Sequence, residues 1–112
     1  MDKTKELIQT IEDNPDRELI FLYPNEGSDD YYTLGHPSRI VVDEYWIGGD
    51  RVWLKYDDEI EIFEHYADNF FDDLYPDVNY ATDEQSKIID EKTKEFLDRQ
   101  NWKKCICVYI KY

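Results

Sequence analysis

Between Asp57 and Ser86 the chain carries Asp57, Asp58, Glu59, Glu61, Glu64, Asp68, Asp72, Asp73, Asp77, Asp83 and Glu84, with no Lys or Arg among them. Carboxylates at such density can ligate a divalent cation or present charge to a cationic surface. The first use requires a defined order of ligands. Asp68-Asn69-Phe70-Phe71-Asp72-Asp73 lacks the Asp-x-Asp-x-Asp-Gly order of a calcium loop. Nuclease chemistry asks for carboxylates beside a Lys on a strand, and Lys55 follows Val52-Trp53-Leu54 without the acid at the required place.

Other reactive groups are sparse. Ser28, Ser38 and Ser86 sit in no nucleophile motif, His36 and His65 are far apart in sequence, and Gly48-Gly49 belongs to a turn and not to a phosphate-cradling loop. Cys105 and Cys107 fall on one face of a strand and are too few for a thiolate metal site, so they are expected to be reduced packing residues. No catalytic residue, metal site or cofactor is expected, and the chain does not read as an enzyme.

Charge presentation is the use that remains. The 112 residues hold 27 Asp and Glu against 13 Lys and Arg, a net charge of -14. The eleven acids of the 57–86 segment account for most of it, because the other 16 are set against all 13 bases and leave only -3. A salt-adapted protein would spread its excess over the whole surface. Direct binding to DNA, RNA or an anionic membrane is disfavoured, since it requires Lys and Arg to displace counterions. A basic partner is the complementary expectation.

The elements that must hold these acids follow from periodicity. Residues 2–13 place Leu7, Ile8 and Ile11 at helical spacing, and Asn14-Pro15 ends the pattern. Leu19 to Tyr23 is an unbroken apolar run that suits a central strand buried on both faces. Asn25 to Asp30 has turn chemistry, and Tyr31 to Leu34 reads as the start of another strand. Arg39–Ile47 and Arg51–Tyr56 are rich in β-branched and aromatic residues and are joined by Gly48-Gly49-Asp50, which predicts a hairpin. A helix is predicted over 57–75, ended by Pro76, and a second after the capping box Thr82-Asp83-Glu84-Gln85. The closing segment, Lys104 to Tyr112, alternates Ile106, Val108 and Ile110 as a half-buried strand. The expectation is a single α+β domain over 1–112, in the order α-β-β-β-α-α-β, with an antiparallel sheet of about four strands covered by helices on one face.

On a wheel of about 100° per residue, Asp57, Asp58, Glu61, Glu64, Asp68 and Asp72 fall within roughly 120° of one another. Ile60, Ile62, Phe63, Tyr66, Ala67, Phe70, Phe71 and Leu74 take the opposite arc. Six carboxylates over about 15 residues give one charge per roughly 3.7 Å of axis, near the ~3.4 Å per nucleotide of one B-DNA strand. An acidic face commonly serves only solubility. Here like charges repel without i,i+4 Lys partners, at a cost of tenths of a kcal/mol per pair, which argues for a compensating use. Glu59 and Asp73 are exceptions to this division, near the two ends of the helix; Asp73 and Asp77 count as candidates with the acidic segment, and Tyr45 and Trp53 of the hairpin are candidates for solvent-facing aromatics beside it.

Asn14-Pro15-Asp16, Tyr23-Pro24-Asn25-Glu26-Gly27-Ser28-Asp29-Asp30-Tyr31-Tyr32-Thr33-Leu34-Gly35, Val42-Asp43-Glu44-Tyr45-Trp46, Tyr66-Ala67-Asp68-Asn69 and Trp102-Lys103-Lys104-Cys105-Ile106-Cys107 together resemble small acidic proteins carried by phages and mobile elements of Gram-positive bacteria. That group brings no catalytic motif. The resemblance implies a context in which short acidic phage proteins inhibit host defence nucleases, anti-CRISPR proteins among them. Taken with the charge map, it leads to the expectation of a non-enzymatic nucleic-acid mimic that occupies the Lys/Arg-lined channel of a Cas9-type nuclease. Its partner-binding residues would be Asp57, Asp58, Glu61, Glu64, Asp68, Asp72, Asp73, Asp77, Tyr45 and Trp53. The alternative is an adaptor that binds through hairpin aromatics or a sheet edge. With no apolar run near 18 residues and a polar start at Asp2-Lys3-Thr4-Lys5-Glu6, a location in the cytoplasm of a bacterial host is expected.

Overall fold

The structure, a computed structural model, describes residues 2–23 and 34–111. The expected turn at Asn25–Asp30 lies outside these residues, as does all but the last residue of the Tyr31–Leu34 strand. The elements run α1 (Lys3–Asp13), β1 (Glu18–Leu22), β2 (His36–Gly48), β3 (Arg51–Leu54), α2 (Glu59–Leu74), α3 (Asp83–Asp98) and β4 (Lys103–Lys111). The fold is α+β in the expected order, and its four strands form one sheet in the order β1-β4-β2-β3. Two compact units divide the chain, Met1–Tyr45 with Lys103–Tyr112, and Trp46–Trp102. Strand β2 runs through both.

In the first unit, the Asp2 carboxylate accepts from Lys5 N at 2.9 Å and starts α1. The sheet corrects three expectations. Strand β1 pairs with β4 in parallel, while β2 pairs with β4 antiparallel, so the sheet is mixed. No tight turn joins β1 to β4, and a long intervening chain permits the parallel direction that a hairpin forbids. Strand β1 is also an edge and not central, with Leu19 39% and Phe21 44% exposed. The doubly buried strand is β4, in which Cys105, Ile106, Cys107 and Val108 are all buried although successive side chains face opposite ways. That strand is covered on both faces, not half-buried as the alternation of Ile106, Val108 and Ile110 suggested. Both cysteines are unbridged and buried, as expected.

Strand β2 is irregular where its sequence demands it. The register with β4 shifts between Pro37 and Arg39, and Ser38, the extra residue, donates its hydroxyl to Tyr109 O at 3.0 Å. Proline has no N–H for the ladder, so a bulge beside it avoids an unmade bond.

The second unit is the β2–β3 turn followed by two packed helices. Gly49 has φ +64°, the left-handed geometry a tight hairpin turn needs. Gly48 has a different reason. A Cβ there would lie under 3.0 Å from the Trp46 ring and the Tyr66 hydroxyl, so only glycine admits the ring against the strand. Trp46 in turn meets Tyr66, Phe96 and Trp102 with ring centroids 5.8, 6.0 and 5.9 Å away, and these aromatics form the unit's core with Trp53, Leu54, Ile62 and Ile89. Helix α3 begins with the predicted capping box: Thr82 Oγ1 accepts from Gln85 N at 3.2 Å and Gln85 Oε1 from Thr82 N at 2.9 Å.

Candidate functional site

Helix α2 begins at Glu59, two residues later than the predicted start at Asp57, because Asp57 and Asp58 belong to the turn that leaves β3. Asp58 is half-buried there, and its Oδ2 accepts from Leu54 N at 2.8 Å. It satisfies a strand-end amide, so it is a structural carboxylate and not part of the presented charge. Asp57 is exposed, but it lies off the helix.

On the helix itself Glu61, Glu64, Asp68 and Asp72 are exposed and follow one another at spacings of three or four residues, so they form one stripe. Four charges over a rise of eleven residues come to one per about 4.1 Å of axis, slightly wider than the ~3.7 Å expected with Asp57 and Asp58 on the helix. Asp73 is exposed, but at about 100° per residue it lies roughly 100° round the helix from Asp72 and so off the stripe. Asp77 is exposed beyond the end of the helix, in the turn closed by Val78 N to Tyr75 O at 3.1 Å. Ile62 holds the opposite side in the core. Ile60, assigned to that buried arc, is instead 74% exposed.

One member of the stripe has a cationic partner. Arg51, on β3, places Nη2 3.0 Å from Glu61 Oε2. The same guanidinium lies 3.8 Å from the centroid of the Trp53 ring. Trp53 is thereby covered and only 2% exposed, which removes it from the candidate anchors. Strand alternation placed Trp53 on one face or the other, but gave no account of the Arg51 lid or of His65, whose ring stands 5.3 Å from the indole. Among the described residues Trp53 Nε1 has no hydrogen-bond partner.

Tyr45, the other aromatic candidate, belongs to the first unit. It is half-buried and donates its hydroxyl to Glu18 Oε2 at 2.5 Å, which raises its pKa together with partial burial. Across that face of the sheet Glu18, Cys105 and Asp43 stand opposite one another in register, and Arg17 Nη1 donates to Asp43 O at 2.8 Å. Burial and the neighbouring Asp43 push the Cys105 thiol up to about 11. A thiol held protonated is a poor nucleophile and a poor metal ligand.

Sequence reasoning did not find a groove in the second unit, lined by Tyr56, Ile60, Phe63, Glu64, Leu97 and Trp102 among others. Its only signal in the sequence was an isoleucine flanked by Glu59 and Glu61. No group of three or more His, Cys, Asp and Glu among the described residues is arranged to hold a metal ion, and no described helix is long and apolar enough to cross a membrane. What the second unit presents is an exposed acidic stripe, clamped at one end by Arg51. Comparison with known proteins yields no match, whether to a family model, a curated protein or a solved structure.

Proposed function

We propose that this chain is a non-enzymatic inhibitor of a host defence nuclease, of the anti-CRISPR type, and that it acts in the bacterial cytoplasm on a Cas9-type enzyme. The exposed stripe of Glu64, Asp68 and Asp72 carries the reading, with Asp73 and Asp77 exposed near its C-terminal end. These carboxylates stand where nucleic-acid phosphates would otherwise meet the Lys and Arg of the nuclease channel. Complementary fields of this kind speed encounter and lose strength as salt screens them over a Debye length of about 8 Å. The absence of Trp53 from the surface leaves the charge to do more of the binding than the sequence suggested.

The test is DNA cleavage by the guide-loaded nuclease in the presence of wild-type chain and of a variant with Glu64→Lys, Asp68→Lys and Asp72→Lys, with circular dichroism confirming that the variant is folded. Inhibition should be lost in the variant and should weaken with added salt for the wild type. Intact inhibition by the folded variant would falsify the mimic.

The second reading, an adaptor, is favoured by one observation: β1 is an edge strand with Leu19 and Phe21 part-exposed. An extended peptide can add to such an edge through main-chain hydrogen bonds. Partner binding that ignores salt and fails on Phe21→Lys would support it over the mimic.

A further inference from the structure

A groove of about 650 Å³ opens in the Trp46–Trp102 unit, lined by the residues just after β3, the start of α2 and the end of α3. Its size falls within the ~300–1,000 Å³ of ordinary binding clefts. Tyr56, Ile60, Phe63, Leu97 and Trp102 make its lining mainly apolar, and two of them, Ile60 at 74% and Tyr56 at 61%, are left largely in water. Exposure of a large aliphatic side chain between two glutamates is unfavourable for the isolated chain, whether it serves solubility or folding.

Charge complementarity indicates what covers it. Glu59, Glu64 and Asp98 line the groove along with Lys55 and Lys94, and Glu64 is also the residue from which the acidic stripe continues to Asp68 and Asp72. The apolar groove and the acidic stripe are therefore one surface. Its lining comes from helix side chains and the segment that follows β3, not from a strand's open backbone edge, so a partner cannot join it by adding a strand. A partner must offer apolar side chains along one face and cations beside them, the pattern that a helix provides at i, i+3, i+4 and i+7.

We propose that this groove receives the apolar face of a basic amphipathic helix from a protein partner, whose Lys or Arg residues pair with Glu59, Glu64 and Asp68. The proposal deepens the inhibitor reading, on which it rests for the sign of the partner's charge. It adds an apolar anchor that a simple phosphate mimic lacks.

The test uses the full chain and a synthetic peptide of Leu and Lys only, with Leu at i, i+3, i+4 and i+7, against a scrambled peptide of the same composition and a Leu/Glu peptide of the same pattern. Titration followed by isotope-edited NMR should show the patterned Leu/Lys peptide binding at least tenfold more tightly than either control. The shifted resonances should include Ile60, Leu97 and the Trp102 indole. Ile60→Ser, at a position too exposed to be needed for folding, should weaken binding tenfold or more. Equal binding of the scramble, equal binding of the Leu/Glu peptide, or an unchanged affinity for Ile60→Ser would each overturn the proposal. Peptide binding in the groove without nuclease inhibition would sink the inhibitor reading alone, and inhibition unaffected by Ile60→Ser would sink the groove alone.

Discussion

The guanidinium of Arg51 reaches from β3 to the carboxylate of Glu61 on α2, with 3.0 Å between Nη2 and Oε2. Both side chains are more than half exposed, so the pair contributes about 0.2–1 kcal/mol to stability. Its larger effect is on the field: it cancels one charge at the start of the acidic stripe. Arg51→Gln should therefore cost the fold about 1 kcal/mol or less, counting the lost stacking on Trp53. On the proposed inhibitor function, the same change should raise the association rate with the nuclease about two- to threefold at low salt, the gain vanishing as screening shortens the Debye length. Stopped-flow association at several salt concentrations checks it. A rate that falls, or a gain that persists at high salt, would mean that Arg51 itself contacts the partner.

Gly48 and Gly49 adjoin in one turn and should respond differently to alanine. At Gly48 a Cβ would strike the Trp46 ring and the Tyr66 hydroxyl, and overpacking of this kind costs about 1–3 kcal/mol. At Gly49 there is open space, but φ is +64°, so the cost there is backbone strain of about 1–2 kcal/mol with no core disturbance. Urea unfolding measures both losses, and near-ultraviolet circular dichroism separates their causes. Gly48→Ala should change the aromatic signal as Trp46 shifts against Tyr66, and Gly49→Ala should leave it as it is. An altered aromatic signal in Gly49→Ala alone would reverse the assignment.

The parts of this structure legible in the sequence are those set by neighbours along the chain. The capping box at Thr82 and Gln85, the Gly49 turn and the helical period of 59–74 each depend on residues a few positions apart. What was misread depends on which strand lies beside which. Leu19-Ile20-Phe21-Leu22 is more apolar than Lys104-Cys105-Ile106-Cys107, yet the latter is central, because two strands flank β4 and only one flanks β1. Hydropathy registers side chains, whereas strand order decides whose faces are covered. The site divides in the same way. The stripe of Glu61, Glu64, Asp68 and Asp72 is legible as a period, but three facts depend on the tertiary fold: Asp58 turning back to Leu54 N, Arg51 covering Trp53, and Ile60 opening onto a groove.

Cys105 gives the fold a pH dependence of definite sign. Its thiol stands in register between Glu18 and Asp43, is fully buried, and is raised from 9.0 to about 11, by burial first and by Asp43 second, with Arg17 opposing. A group whose folded pKa lies above its unfolded value contributes stability that is complete below the unfolded pKa and disappears as pH rises through the folded one. Stability should therefore be insensitive to this thiol up to pH about 9 and decline between about 9 and 11, with Tyr45, raised above 10.0 by its bond to Glu18, acting in the same direction at the upper end. Urea unfolding at closely spaced pH values, for wild type and for Cys105→Ala, isolates the thiol. The variant should be less stable at pH 8 but show a shallower decline between 9 and 11. Iodoacetamide should leave Cys105 of the native chain unmodified at pH 8 and alkylate it on unfolding, since the thiolate is both scarce and covered. An equally steep decline in Cys105→Ala would assign the alkaline instability to other groups and remove the thiol from it.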